Sequence, residues 1–277
     1  MTAVQTERPA LAPASLGRAS LAITWRNLIH IKRQPEMLLD VTVQSVMFVL
    51  LFAYVFGGAI QVPGSDVDYK EFLLPGIMVQ TMIFSSATVA IGLTNDLQKG
   101  IVDRFKSLPI SRSSVLVGRS ISSLIHASIG IVVMGVTGLL IGWRIREGLG
   151  DALIAVGLLL LFGFAMIWLG IWVGSMMRTV ESVQGLMFTV MFPLTFVANT
   201  FVPSQTMPTW LQPVAEWNPV SALTQACREL WGNGPAATTN DAWPLQHPVL
   251  MSVAWSVALA AIFAPLALAA FRRRSRD

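Results

Sequence analysis

Six apolar stretches, each close to the length of a bilayer crossing, run through a chain of 277 residues and leave little sequence for a water-soluble core. They are Met37 to Phe56, Leu73 to Leu93, Ser120 to Trp143, Ala152 to Val173, Val183 to Val202 and Pro248 to Phe271. Crossing about 30 Å of hydrocarbon takes roughly 20 helical residues. The fold class this implies is an all-α integral membrane protein with six transmembrane helices. Only 12% of the residues are charged, whereas ordinary soluble domains carry about 25%. The first run starts late and is too long for a secretory signal, and more runs follow it.

The basic residues orient the chain. With a cytoplasmic amino terminus, 15 of the 19 Lys and Arg residues fall on the inner side, and only Lys70, Arg144, Arg146 and Arg228 fall outside. The positive-inside rule therefore predicts a multi-pass plasma-membrane protein with both termini cytoplasmic. The high pI of about 9.7 is a topology signal, and no nucleic-acid partner is implied. Trp143, Trp210, Trp217, Trp231 and Trp243 all fall in or beside outer segments, where an indole sits at headgroup level.

Residues 1–18 read as a flexible cytoplasmic tail and 19–35 as an amphipathic interfacial helix. Within it Leu21, Trp25, Leu28 and Ile29 share one face, while Arg26, Asn27, His30 and Arg33 crowd the other. Pro35 should end it. Such a helix is either a plain surface anchor or a brace for a cytosolic partner. Residues 36–277 make one six-span unit, with a cytoplasmic loop at 95–119 and an outer re-entrant or interfacial segment at 203–246. In the loop, Leu97, Ile101, Phe105 and Leu108 repeat at four, four and three residues, giving a short helix one apolar stripe. Lys99, Asp103, Arg104 and Lys106 lie on its other faces, and Pro109 closes it. The stretch is either a polar return loop or a lever that receives a push from a cytosolic protein. In the outer segment, Thr209 to Trp217 and Ser221 to Trp231 are two short helical candidates.

At Lys99, Gly100, Asp103, Arg104, Phe105, Ser107, Leu108, Pro109 and Gly118 the loop resembles the cytoplasmic signature of type-2 ABC exporter permeases, and within them the daunorubicin/doxorubicin resistance branch. The likeness extends to Phe48 to Gly58, Leu73 to Met78, Phe201 to Pro213 and Asn218 to Ser221. It implies a six-span subunit that pairs with a second copy or a sister permease, each docking a nucleotide-binding ATPase subunit. By the same likeness, Lys99 to Pro109 corresponds to the coupling helix, braced by the amino-terminal helix, and the outer helices become a gate. Asn95, Asp96 and Gln98 depart from the glutamate-rich approach frequent in the family. The implied function is export of a hydrophobic drug, antibiotic or other natural product, with a lipid or lipid-linked polysaccharide as the alternative cargo.

The chain carries no phosphate-binding loop of its own: none of its four lysines follows a glycine. ATP and Mg would be bound by the partner subunit, with no cofactor on this chain and no catalytic site. An ion-coupled secondary transporter would need ionisable residues deep within spans, and only His126 lies several residues inside one. An intramembrane enzyme would need a nucleophile or metal set, yet His30, His126 and His247 are far apart and Cys227 is the single cysteine. For an exporter, the predicted substrate path is apolar. Phe48, Phe52 and Phe56 in span one, and Phe188, Phe192 and Phe196 in span five, each form a stripe at four-residue spacing. Met47, Met78, Met82, Met187 and Met191 add soft, adaptable surface. The same stripes also suit plain packing against helices or lipid. Pro193 and Pro265 fall inside spans and can kink them.

Overall fold

The computed structural model describes residues 16–33, 35–56, 68–100, 112–234 and 242–274. The elements among the described residues are all helical: α1 (Leu16–Arg33), α2 (Pro35–Leu51) running into a π-helical turn (Phe52–Phe56), α3 (Tyr69–Gln98), α4 (Arg112–Leu140), α5 (Leu149–Met176), α6 (Val180–Phe196), a 3-10 turn (Ser204–Thr206), α7 (Gln212–Glu216), α8 (Pro219–Trp231), α9 (Trp243–Gln246) and α10 (Pro248–Arg274). Four of them, α3, α4, α5 and α10, are long and apolar enough to cross a membrane. Two of the six expected crossings coincide with shorter apolar helices, Thr42–Val55 and Val180–Phe196.

Several boundaries move, each for a local reason. The third apolar run, expected from Ser120, belongs to a helix that already begins at Arg112. Its early turns carry Arg112, Ser113, Ser114 and Arg119, polar residues that interrupt a hydropathy reading. The fifth run, expected to reach Val202, ends as a helix at Phe196, because Asn199 to Phe201 turn away to bond α3 and α8. α8 starts two residues before the expected Ser221: Asn218 caps it, its side chain accepting from the Val220 N–H at 2.9 Å, and Pro219 takes the first turn. α7 is shorter than the expected Thr209 to Trp217, since its first helical residue is Gln212.

α3 is the central element. Every residue from 71 to 80 is buried, which a helix enclosed on all sides requires. Against α5 the two backbones nearly touch. A Cβ placed on Gly170 would lie 2.2 Å from the Ser86 carbonyl oxygen, and one on Gly174 would lie 2.6 Å from that of Ala90. Small residues permit this approach, and in a bilayer such close packing replaces the missing hydrophobic drive between helices. Thr94 Oγ1 donates to the Gly174 carbonyl across the same seam at 3.0 Å. α5 also packs on α10, in a cluster where Ile167, Trp168 and Ile171 join Ala267 and Phe271 together with Val89 and Leu93 of α3 and Leu116 of α4. Arg274 then closes the carbonyl end of α5, donating to Gly174 and Ser175 at 3.3 Å and to Met177.

Contacts define two ends of the bundle. One end holds α1, which lies on the first half of α4: Gly118 touches Ser20 and Ile23, Thr24 Oγ1 donates to the Gly118 carbonyl (3.1 Å), and Asn27 Nδ2 donates to Ser122 Oγ (3.1 Å). The other end holds α8. There Trp143 Nε1 donates to Asn233 Oδ1 (2.7 Å), Asn233 Nδ2 donates to the Arg144 carbonyl (2.8 Å), and Arg146 pairs with Glu71 at 2.8 Å. The basic residues sort by end as the sequence partition requires: Arg26, Arg119, Arg178 and Arg272 to Arg274 at the α1 end, and Lys70, Arg144, Arg146 and Arg228 at the α8 end.

α1 docks by a third face. Ser20, Ile23 and Thr24 are buried in the protein, whereas Leu21 and Trp25 are each 67% exposed. Leu21 and Trp25 therefore point away from the bundle, the disposition a helix lying in a lipid interface needs. Arg26 is exposed and donates to Asn27 Oδ1 (3.2 Å), and Ile29 is half-buried. Leu28 and Arg33 lie on the same helix. The helix stops at Arg33, and Pro35 opens the next one as a first-turn residue.

Candidate functional site

The two phenylalanine stripes meet. From Phe48 the rings step to Phe52 (centroids 5.8 Å apart), then to Phe201 (4.9 Å), Phe196 (5.2 Å), Phe192 (5.5 Å) and Phe188 (5.7 Å). Phe84 of α3 braces the lower rungs, edge-on to Phe192 at 5.8 Å. The result is one ladder joining α2 to α6 through the turn that follows α6. Each such pair contributes about 0.5–1.5 kcal/mol beyond its buried area. Phe188, Phe192 and Phe196 keep 44–52% of their surface exposed, so the ladder has a filled back and an open apolar front. An open ring face of this kind accepts planar aromatic or lipidic matter by stacking and dispersion. Phe56 closes the π-helical turn beyond Phe52.

Met82 does not belong to this surface. It is fully buried, its sulfur 2.6 Å from where a Cβ on Gly163 would sit, because it faces α5 while Phe84, two residues on, faces α6. Met78, Met187 and Met191 are core residues too, and of the five methionines expected on a soft surface only Met47 is exposed.

Where the ladder passes through Phe201, the chain is held by a buried cation. Arg228 of α8 has no exposed surface. Its Nε donates to the Phe72 carbonyl (2.8 Å), Nη1 to that of Asn199 (2.9 Å) and Nη2 to that of Thr200 (2.9 Å). Its guanidinium carbon lies 3.4 Å over the Phe72 ring, a desolvated cation–π contact. No carboxylate pairs with it among the described residues. Burial pulls its pKa down to about 9, opposed by Tyr69 and Cys227, so it stays charged at neutral pH. Tyr69 Oη completes the set by donating to the Phe201 carbonyl at 3.2 Å.

At the other end, Leu97 lies on the last turn of α3, Lys99 caps that helix and Gly100 takes a positive φ of 65°, so α3 ends before the rest of the predicted coupling stripe. Ile101, Asp103, Arg104, Phe105, Leu108 and Pro109 lie outside the described residues. Their two flanks are fastened: Asp96 of α3 pairs with Arg119 of α4, and Gln98 Nε2 donates to the Arg178 carbonyl at 2.9 Å.

Residues 18–230 match the model of the ABC-2 type transporter family. The chain belongs to the ABC-2 type transporters. This ABC-2 permease is 32% identical to the daunorubicin resistance ABC transporter permease protein DrrB1 of Streptomyces coeruleorubidus over 97% of this chain and 90% of the relative. It is 26% identical to the probable doxorubicin resistance ABC transporter permease protein DrrC of Mycobacterium tuberculosis over 96% of this chain and 95% of that one. A probable multidrug ABC transporter permease, YbhR of Escherichia coli, is 20% identical over 65% of this chain and 49% of its own length. The family implies an ATPase subunit as partner, and its members are multi-pass membrane proteins, in accord with the apolar helices.

Sequence reasoning placed the two stripes of the ABC-2 permease but missed the residues that unite them. Phe84 and Phe201 each stand outside any four-residue repeat. Arg228 entered only as one basic residue among four on its side. The available signal was an arginine on a helix whose other residues from Val220 to Cys227 are all apolar or uncharged, which marks a charge that must find carbonyl partners.

Proposed function

We propose that this chain is the permease subunit of an ATP-driven exporter that moves a hydrophobic drug, antibiotic or other natural product out of the cell. The observation that carries the cargo class is the ladder from Phe48 to Phe188, a continuous apolar aromatic face with no charged side chain among its rungs. The drug-resistance names of the relatives point the same way. In this reading α2 and α6 supply the first and fifth crossings, and the α1 end, rich in Arg and Lys, faces the cytoplasm. Two permease subunits pair, and ATP closes the ATPase subunits against the segment from Leu97 to Pro109. The fastened flanks at Asp96, Arg119 and Gln98 pass that push to α3 and α4.

The test is purification of the chain from its native membrane in mild detergent. A P-loop ATPase should accompany it at one-to-one stoichiometry, and daunorubicin, used as a probe, should be moved across proteoliposomes only with ATP. A chain that purifies free of any ATPase contradicts the reading. A second expectation concerns the ladder itself: Phe201→Ala interrupts it at the junction between α2 and α6. Daunorubicin affinity, followed by quenching of the drug's own fluorescence, should fall about tenfold, the loss of one to two aromatic contacts. An unchanged affinity removes the ladder from the substrate path.

A further inference from the structure

We propose that Arg228 is the positioning residue of the exit, a latch that pins the outer end of α6 to α3 and α8 and whose release opens the top of the aromatic ladder. The proposal rests on the exporter reading for its purpose but on geometry for its mechanics.

Three consecutive carbonyls after α6 accept from side chains of other elements: Asn199 and Thr200 from Arg228, and Phe201 from Tyr69. The Asn199 N–H donates to Ser221 Oγ at 3.0 Å, and Asn218 Nδ2 donates to the Leu194 carbonyl at 2.8 Å. Thr200 is also wedged on α3, since a Cβ on Gly76 would meet it at 2.8 Å. The end of α6 is therefore fixed at many points within eight residues, from Leu194 to Phe201.

The stretch of α6 before Pro193 is held on one face only: Val183, Met187 and Met191 are buried, whereas Leu186, Phe188, Val190 and Phe192 are exposed and a Cβ on Gly185 would touch nothing within 4 Å. Pro193 stands between this one-sided stretch and the fixed end. It has no N–H for the helix ladder and makes the natural bending point. Freeing the carbonyls of Asn199 and Thr200 lets the end of α6 swing about Pro193, and Phe201 leaves its place between Phe52 and Phe196. Because no carboxylate among the described residues pairs with Arg228, its charge is stabilised by these backbone dipoles and the Phe72 ring. An arginine held this way reports directly on whether the α6 end is in place. An arginine paired with a carboxylate on its own helix would not.

The test uses the full-length permease in lipid nanodiscs with spin labels on Ile145→Cys and Val202→Cys. Both sites are exposed, and Cys227 is fully buried, so only the introduced thiols take label. Without nucleotide the unaltered permease should give one narrow distance. Arg228→Met should raise the longer-distance population at least about tenfold, and Tyr69→Phe, which removes a single O–H donor, should move it the same way by less. A second label pair at the α1 end, on Lys99→Cys and Met176→Cys, should keep its distribution in both variants. If Arg228→Met leaves the Ile145 to Val202 distances unchanged, or broadens both pairs alike, the latch is wrong and Arg228 is a general core residue. The nucleotide-free comparison decides the latch alone. Whether ATP and vanadate, in the complex with the ATPase subunit, shift the unaltered permease to the longer distance decides the exporter reading, so the two can fail separately.

Discussion

Replacing Gly170 with leucine should leave no stably folded permease. The nearest atom to the new Cβ is the Ser86 carbonyl oxygen at 2.2 Å, with the Ser86 carbonyl carbon at 3.0 Å behind it. These are backbone atoms in the middle of α3 and cannot step aside as a flexible side chain can. Overpacking an ordinary core costs about 1–3 kcal/mol. Here two helices must separate along their length, breaking the Thr94 to Gly174 bond and exposing the packing around Met82. The loss should exceed about 3 kcal/mol, a large part of the roughly 5–15 kcal/mol that holds a typical domain. Size-exclusion profile and melting temperature in detergent measure it. Gly157→Leu on the same helix is the control, since a Cβ there meets nothing within 4 Å. That variant should behave as the parent or better, because leucine is the stronger helix former by somewhat under 1 kcal/mol. Equal melting of the two variants would show that α3 and α5 are not in the contact described.

The second large effect is expected at the other end of the bundle. Phe105→Asp combined with Leu108→Asp should abolish ATP-driven transport while the permease still inserts in the membrane. We propose that these side chains meet an apolar recess on the ATPase subunit, where an unpaired carboxylate costs several kcal/mol. A penalty of about 3 kcal/mol lowers coupling roughly a hundredfold. The flanking ties between Asp96 and Arg119 and between Gln98 and Arg178 do not depend on either residue, so the bundle itself should be undisturbed. Proteoliposome uptake of daunorubicin and stimulation of the ATPase by the drug are the two readings. Near-normal coupled transport in the double variant would place the contact elsewhere.

The all-α class and the positions of the long apolar helices were legible because hydropathy and length act locally. The four-residue phenylalanine spacing was legible for the same reason, since it depends only on helix geometry. What stayed hidden is long-range. The Arg228 bond to Phe72 joins residues 156 apart in the chain, and the ladder closes through Phe201, whose position depends on where α6 stops. Met82 was misjudged because residue type marks softness and not direction; its neighbour Gly163 decides that it is core. The stripe on α1 depends only on local spacing, whereas the α4 residues that receive another side of that helix, Gly118 and Ser122, give no hydrophobic signal at all.

The two faces of α3 carry different burdens. Met82, Ser86 and Ala90 meet the glycines of α5, where almost no side-chain atom can be added, while Phe84, half a turn away, supports the aromatic ladder. Mutational tolerance should follow that division: substitutions on the glycine side are lost as failures of folding, and substitutions on the phenylalanine side survive to be sorted by what they bind. On the proposed substrate path, a permease built so can vary its cargo at the ladder that Phe84 supports without disturbing the seam between α3 and α5. A library confined to the exposed rungs Phe188, Phe192 and Phe196 would search specificity at little risk to assembly.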